Sequence, residues 1–285
     1  MAAHPTLVTH KLTKQRVATE QEKGDLISAI QKGDITSVTK LIKTQSDLLN
    51  SALDAYGNAA LYFAIEARKT DIITLLVENG APVNATYKDG ETPLHIAIQY
   101  GNMKAIALFV DKGAEINTPT KYGGTPLYFA IQFRNIQAIS LFVDKGAEIN
   151  TPDKYGNTPL YLAIECGNME AIALFVAKGA QVNATNKEGD TPLHIAIHWK
   201  NIQAISLLLQ NNADINMPDR NGETPSELAA HLPEIATLIE NHKKARLVWQ
   251  FWEMEKPTHD SYIQWPPREV LEDVTSLVTT PTQKK

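Results

Sequence analysis

Apolar residues along this chain fall into short stripes of helical spacing that restart at a fixed interval. In Leu94-His95-Ile96-Ala97-Ile98, the residues Leu94, Ala97 and Ile98 stand at i, i+3 and i+4, which places them on one side of an α-helix. Gly101-Asn102 interrupts the pattern. A second stripe follows at Ile106, Leu108, Phe109 and Val110 and stops at Lys112-Gly113, where glycine supplies the left-handed residue that ends a helix. Ala114-Glu115-Ile116-Asn117 then reads as an extended excursion, and Lys121-Tyr122-Gly123-Gly124 has turn chemistry. The tetrapeptide that opens each round begins at Thr92, Thr125, Thr158 and Thr191, a period of 33 residues. Threonine there is a good N-cap, and the proline after it sits at the first helical position, where its missing N–H costs nothing. Worn copies precede the series at Ala59-Ala60-Leu61-Tyr62 and follow it at Thr224-Pro225-Ser226-Glu227. Self-similarity at this period predicts one supersecondary unit stacked on copies of itself.

These residues closely resemble the ankyrin repeat. Its pattern, Gly-x-Thr-Pro-Leu-His-x-Ala with a glycine between helices and Gly-Ala-x-x-Asn after the second, reads here as Gly90-Glu91-Thr92-Pro93-Leu94-His95-Ile96-Ala97, then Gly101, then Gly113-Ala114-Glu115-Ile116-Asn117. Five full copies can be drawn at 54–86, 87–119, 120–152, 153–185 and 186–218, with a degenerate unit before them at 25–53 and another after them at 219–242. The last lacks the middle glycine, and Pro233 stands near that bend. Residues 1–24 are polar and unpatterned and are expected to be disordered, while 243–285 form a Trp-rich extension. The resemblance implies an all-α solenoid of stacked helix pairs with hairpin loops, whose first helices and hairpin tips line a concave, protein-binding surface. Histidines at 95 and 194 would then be structural, with Tyr62, Tyr128 and Tyr161 standing in for them elsewhere.

Departures from the pattern carry information. Arg68, Arg134 and Lys200 replace the glycine between helices, and Ala59-Ala60 discards both cap and proline, so the first full copy should be softer than the middle ones. Asn211-Asn212 replaces Lys-Gly, and asparagine is the best tolerated substitute for glycine there. A second period of 66 residues links Arg134-Asn135-Ile136-Gln137-Ala138-Ile139-Ser140 to the stretch from Lys200 to Ser206, the trace of a duplicated two-unit block.

Positions that differ between copies are free to specify a partner. The residue two places beyond the buried isoleucine of the first helix reads Ala67, Tyr100, Phe133, Cys166 and Trp199; the one before it reads Glu66, Gln99, Gln132, Glu165 and His198. In the family these positions face the concave surface. Tyr100, Phe133 and Trp199, flanked by Arg134 and His198, have the composition of a protein-binding hot spot. Tyr56, Tyr122 and Tyr155 would stand at the hairpin tips, either as contacts or as packing for the next copy. Tip charges at Lys88, Asp89, Lys121, Lys154, Lys187 and Glu188 would steer the choice of partner.

Composition narrows the function. The chain is 43% apolar and 21% charged with a net charge of -5, which argues against a polyanion-binding surface and hence against nucleic acid. Its single cysteine, Cys166, permits no internal disulfide, as suits a reducing, cytosolic compartment. No leading apolar core marks a signal peptide, and no stretch approaches the roughly 18 apolar residues of a membrane span. His194 and His198 at i, i+4 lack a third ligand nearby, no base can be assigned to Cys166, and phosphate-loop and nucleophile-elbow motifs are missing, so no metal, cofactor or catalytic residue is expected. The sequence thus points to a non-enzymatic adaptor, monomeric when free, for an unidentified protein. A targeting or inhibitory subunit of a partner enzyme is the alternative. Lysine, asparagine and isoleucine richness, with acidic Glu269, Glu272 and Asp273 before the C-terminus, resembles ankyrin proteins of intracellular bacteria that are secreted into a host cell. Trp249, Trp252 and Trp265 have something to bury, either as a cap on the array or as a docking motif.

Overall fold

The computed structural model describes residues 17–254, with side chains as far as Leu247. The chain divides after Lys121 into two compact units. The first holds α1 (Glu20–Lys32), α2 (Ile35–Thr44), α3 (Ala60–Glu66), α4 (Thr70–Glu78), α5 (Pro93–Gln99) and α6 (Met103–Asp111). In it α3 packs between α1 and α5, and α4 between α2 and α6. The second holds α7 (Pro126–Gln132), α8 (Ile136–Asp144), α9 (Pro159–Glu165), α10 (Met169–Ala177), α11 (Pro192–His198), α12 (Ile202–Gln210), α13 (Pro225–Ala230) and α14 (Pro233–Met254). There α7, α9, α11 and α13 form one layer, and α8, α10, α12 and α14 the other. The described residues contain no strand: the expected extended excursion is a pair of turns, and the hairpin closes on bonds such as Asp153 N–H to the Asn157 carbonyl at 2.9 Å.

Each pair is built as its sequence dictates. Thr158, Thr191 and Thr224 accept from the third backbone N–H of their helices, with proline at the first position. Second helices are capped by asparagine: Asn135, Asn168 and Asn201 accept from Ala138, Ala171 and Ala204 at 3.0 to 3.1 Å. Helices α3 and α4 start at Ala59 and Lys69 with no side-chain cap, so the first full copy forgoes about 1 kcal/mol at each start. The cores are continuous columns. Phe109 in the first unit, and Phe142 and Phe175 in the second, occupy the same register position and are fully buried, each stabilising by about 1.5–3 kcal/mol. Leu108 and Val110, part of the expected apolar stripe, are only half-buried, because Ala105, Ile106 and Phe109 take the inward face.

Backbone strain falls where the sequence departs from glycine. Arg68, Arg134 and Lys200 adopt φ of 55°, 52° and 53°, and Gly101 and Gly167 adopt 65° at the equivalent turn. A side chain in that left-handed region costs about 1 kcal/mol or more. Asn212 takes φ 63° at the helix end where it replaces glycine. Pro233 occupies the sixth copy of the inter-helix position; its ring forbids positive φ, and α14 begins there directly.

The N-terminal boundary needs correction. Helix α1 starts at Glu20 and not at 25, because Thr19 and Glu22 form a capping box in which the Thr19 N–H donates to Glu22 at 2.8 Å. Residues 19–24 therefore belong to the folded array, and 1–16 lie outside the described residues. At the other end α14 crosses residue 242 without interruption and carries the backbone of Trp249 and Trp252; the packing of the three C-terminal tryptophans lies outside the described residues.

Successive hairpin tips interlock. Arg220 N–H donates to the Glu188 carbonyl at 2.8 Å and Lys187 N–H to the Tyr155 carbonyl at 2.9 Å. A Cβ on Gly189 would come within 2.8 Å of the Arg220 nitrogen, whereas one on Gly222 would meet nothing, although both residues have φ near 85°. Gly222→Ala should therefore lower stability by about 1–2 kcal/mol and Gly189→Ala by clearly more, read as the shift in thermal melting of the full chain. Ala59→Thr should restore a missing cap and raise stability by about 1 kcal/mol.

Candidate interaction surface

A seven-residue helix in this stack has few open positions. Helix α7 buries Pro126, Leu127, Tyr128, Ala130 and Ile131, which leaves Phe129, Gln132 and the following Phe133 at i, i+3 and i+4. The same stripe reads Leu162, Glu165 and Cys166 on α9, and Ile195, His198 and Trp199 on α11. Phe133 is 45% exposed and Trp199 56%, while Phe129, Leu162, Cys166 and Ile195 are half-buried beside them. Phe129 packs on Phe133 with ring centroids 6.4 Å apart, and His198 meets Trp199 edge-on at 5.6 Å. The second unit thus presents an apolar row two residues wide across three neighbouring first helices.

Sequence reasoning placed Phe133, Trp199, Arg134 and His198 on this face, and all four are exposed. It missed Phe129, Leu162 and Ile195, whose signal was an apolar residue four places before each variable position. Tyr100 belongs to the first unit and differs in kind. It is half-buried, and its hydroxyl donates to Glu66 at 3.4 Å; burial and the Glu66 carboxylate both raise its pKa. On α5 every residue from Pro93 to Ile98 is buried, so no apolar row accompanies it.

Tyr56, Tyr122 and Tyr155 stand at the hairpin tips and are largely exposed. Each is engaged by a lysine: Lys88 lies over the Tyr56 ring at 5.3 Å, and Lys154 reaches both Tyr122 at 4.3 Å and Tyr155 at 4.9 Å. Where the tip residue is acidic the cation makes an ion pair instead, Lys121 with Asp89 and Arg220 with Glu188. The tip residues thus take part in stacking one hairpin on the next.

The groups with potential chemistry are occupied. His194 Nδ1 accepts from the Thr191 N–H at 3.0 Å, so its proton sits on Nε2, which donates to the Glu223 carbonyl at 3.2 Å. Neither nitrogen keeps a lone pair for a metal shared with His198. His95 Nδ1 accepts from the Thr92 N–H in the same way, at 3.1 Å. Tyr128 replaces this histidine by donating to the Asn157 carbonyl and accepting from the Asp153 N–H, and burial pushes the Tyr161 hydroxyl up to about 12. Cys166 is half-buried, and burial followed by the Glu165 charge raises its thiol pKa, the opposite of what a nucleophile needs. Among the described residues no cluster of three metal-ligand side chains occurs, and no helix is long and apolar enough to cross a membrane.

Comparison with known proteins agrees with this architecture. Residues 26–120 and 108–186 match "Ankyrin repeats (3 copies)", and residues 167–209 match "Ankyrin repeats (many copies)". The 2-5A-dependent ribonuclease of Mus musculus is 37% identical over 79 residues, 28% of this chain but only 10% of that protein. The crystal structure of the ankyrin repeat domain of Bcl-3, a member of the IkappaB protein family, superposes with a TM-score of 0.64 at 24% identity, covering 72% of this chain and 92% of that one. Together with the 33-residue register and the paired helices, these matches make the chain a member of the ankyrin repeat family.

Proposed function

We propose that the protein is a non-enzymatic adaptor that binds a partner protein through the open stripe of α7, α9 and α11. One observation carries the reading: Phe133 and Trp199, large and apolar, stand exposed at equivalent positions of one continuous apolar row. A soluble surface gains nothing from two such side chains in water, and covering either would contribute about 1.5–3 kcal/mol. Arg134 and His198 at the edges of the row supply directional contacts. Tyr56, Tyr122 and Tyr155 add rim contacts at the tips, with the tip charges favouring some partners over others. Tyr100, tied to Glu66, contributes less than the two residues of the second unit. A targeting or inhibitory subunit of an enzyme would use the same face. Delivery into a host cell rests on Glu269, Glu272 and Asp273; unchanged translocation after removal of residues 269–285 would remove that basis.

Affinity capture with the parent chain beside Phe133→Ala/Trp199→Ala should lose its specific partner, with recovery down at least about tenfold, the equivalent of 1.4 kcal/mol. Tyr100→Ala alone should leave most of it. If every captured protein survives the double change, the face is wrongly assigned. The non-enzymatic reading also fixes the behaviour of Cys166. Because its pKa is raised, its thiolate fraction at neutral pH falls below that of a free thiol, whose pKa is about 8.5. Alkylation by iodoacetamide should be slower than that of a free thiol and should rise to its plateau at higher pH. Faster alkylation with a lower midpoint would reveal an activated cysteine.

A further inference from the structure

In the second unit the strained cations and the exposed aromatics occur together. Phe133 is followed by Arg134 and Trp199 by Lys200, both with positive φ, while Cys166-Gly167 stands between them in sequence register. No neighbouring atom selects the cations, since a Cβ at Gly167 would meet nothing within 4 Å; the cost of a side chain there is the left-handed backbone itself. Arg134 recovers part of its strain by donating from Nη2 to the Cys166 carbonyl; Lys200 makes no side-chain bond among the described residues. Both are exposed, and neither forms an ion pair among the described residues. Helix axes in contact lie 8–10 Å apart, so α7 and α11 are separated by roughly 16–20 Å with α9 between them. Two aromatic posts, each with a cation beside it, therefore flank a saddle floored by Leu162, Cys166 and Gly167.

We infer that this saddle takes an amphipathic helical segment of a partner protein, which sets a large apolar side chain between Phe133 and Trp199 and carboxylates against Arg134 and Lys200. The inference rests on the α7–α9–α11 face being the partner surface and adds the chemistry of the partner. The spacing of the two helices exceeds the roughly 10–12 Å of a helix with its side chains. Carboxylates are called for by two unpaired cations that dock beside an apolar row, where exclusion of water strengthens each pair. Glycine would relieve the strain at both turns, so the two cations are carried there at a cost to the backbone. Nucleic acid fits worse: two cations are opposed by Glu165 on the same stripe, in a chain of net charge -5.

The test is a display library of 18-residue helical peptides with an apolar i, i+3, i+4, i+7 frame and randomised flanks, selected against the full chain and followed by fluorescence anisotropy. Aspartate and glutamate should be enriched over asparagine and glutamine at the flanks. Arg134→Gly/Lys200→Gly should melt at a higher temperature than the parent yet bind the selected peptide at least about tenfold more weakly, with a flatter salt dependence. Arg134→Gln/Lys200→Gln, which keeps the strain and removes the charge, should bind as weakly without the gain in melting temperature. Peptides without acidic enrichment, or affinities unchanged by the glycine and glutamine pairs, would overturn the inference while leaving an aromatic-dependent face intact. Peptides that bind equally well after Phe133→Ala/Trp199→Ala, or a library that yields none, would overturn both. Binding of a 20-mer oligothymidylate that is lost in the glycine pair would overturn it in favour of nucleic acid. A glycine pair that melts lower than the parent would show the cations to be structural.

Discussion

A helix of seven residues has no stability of its own in water, where about 12–15 residues are marginal even for favourable sequences. Each seven-residue first helix must therefore be sandwiched, and on α7, α9 and α11 the sandwich consumes five of the seven positions. What remains is a single stripe at i, i+3 and i+4. The open surface is in this sense the residue of a packing requirement: it is narrow, it repeats once per unit, and its chemistry is set by the few positions that stacking leaves alone. The hairpin tips obey a similar economy, since the cation of one tip covers the aromatic or acidic residue of the preceding one within each compact unit.

Much of this was legible from the residues. Threonine caps, N1 prolines and the recurring isoleucines carry local physics that survives into the structure unchanged, which is why the helix pairs lie in the expected register. The left-handed turns at Arg68, Arg134 and Lys200 were legible for the same reason: equivalence to Gly101 and Gly167 dictates the backbone whatever side chain is present. The start of α1 was missed although Thr19-Glu20-Gln21-Glu22 is a capping-box pattern, because attention to the 33-residue period hides a helix whose first turn lies outside it.

Side-chain fate was harder to read. Tyr100, Phe133 and Trp199 occupy one register position, yet the tyrosine leans onto its neighbour while the other two stay open. A hydroxyl within reach of Glu66 makes the difference, and that reach depends on the adjoining copy and not on the position itself. Phe129, Leu162 and Ile195 were passed over for a related reason. Uniform hydrophobicity reads as core, and only the geometry of a short sandwiched helix shows that one such position per unit is half outside.

The near-contact of Gly189 with the backbone of the next tip has an evolutionary corollary. It sets the spacing of those two tips through main-chain atoms, and with the buried phenylalanine column it leaves the open stripe little of the burden of spacing. On the proposed reading, exchange of Phe133 or Trp199 for another residue alters who is recognised without disturbing the scaffold that displays it. Such a molecule can drift from one binding specificity to another by single steps, each of them folded, a freedom denied to proteins whose ligand pocket is also their core.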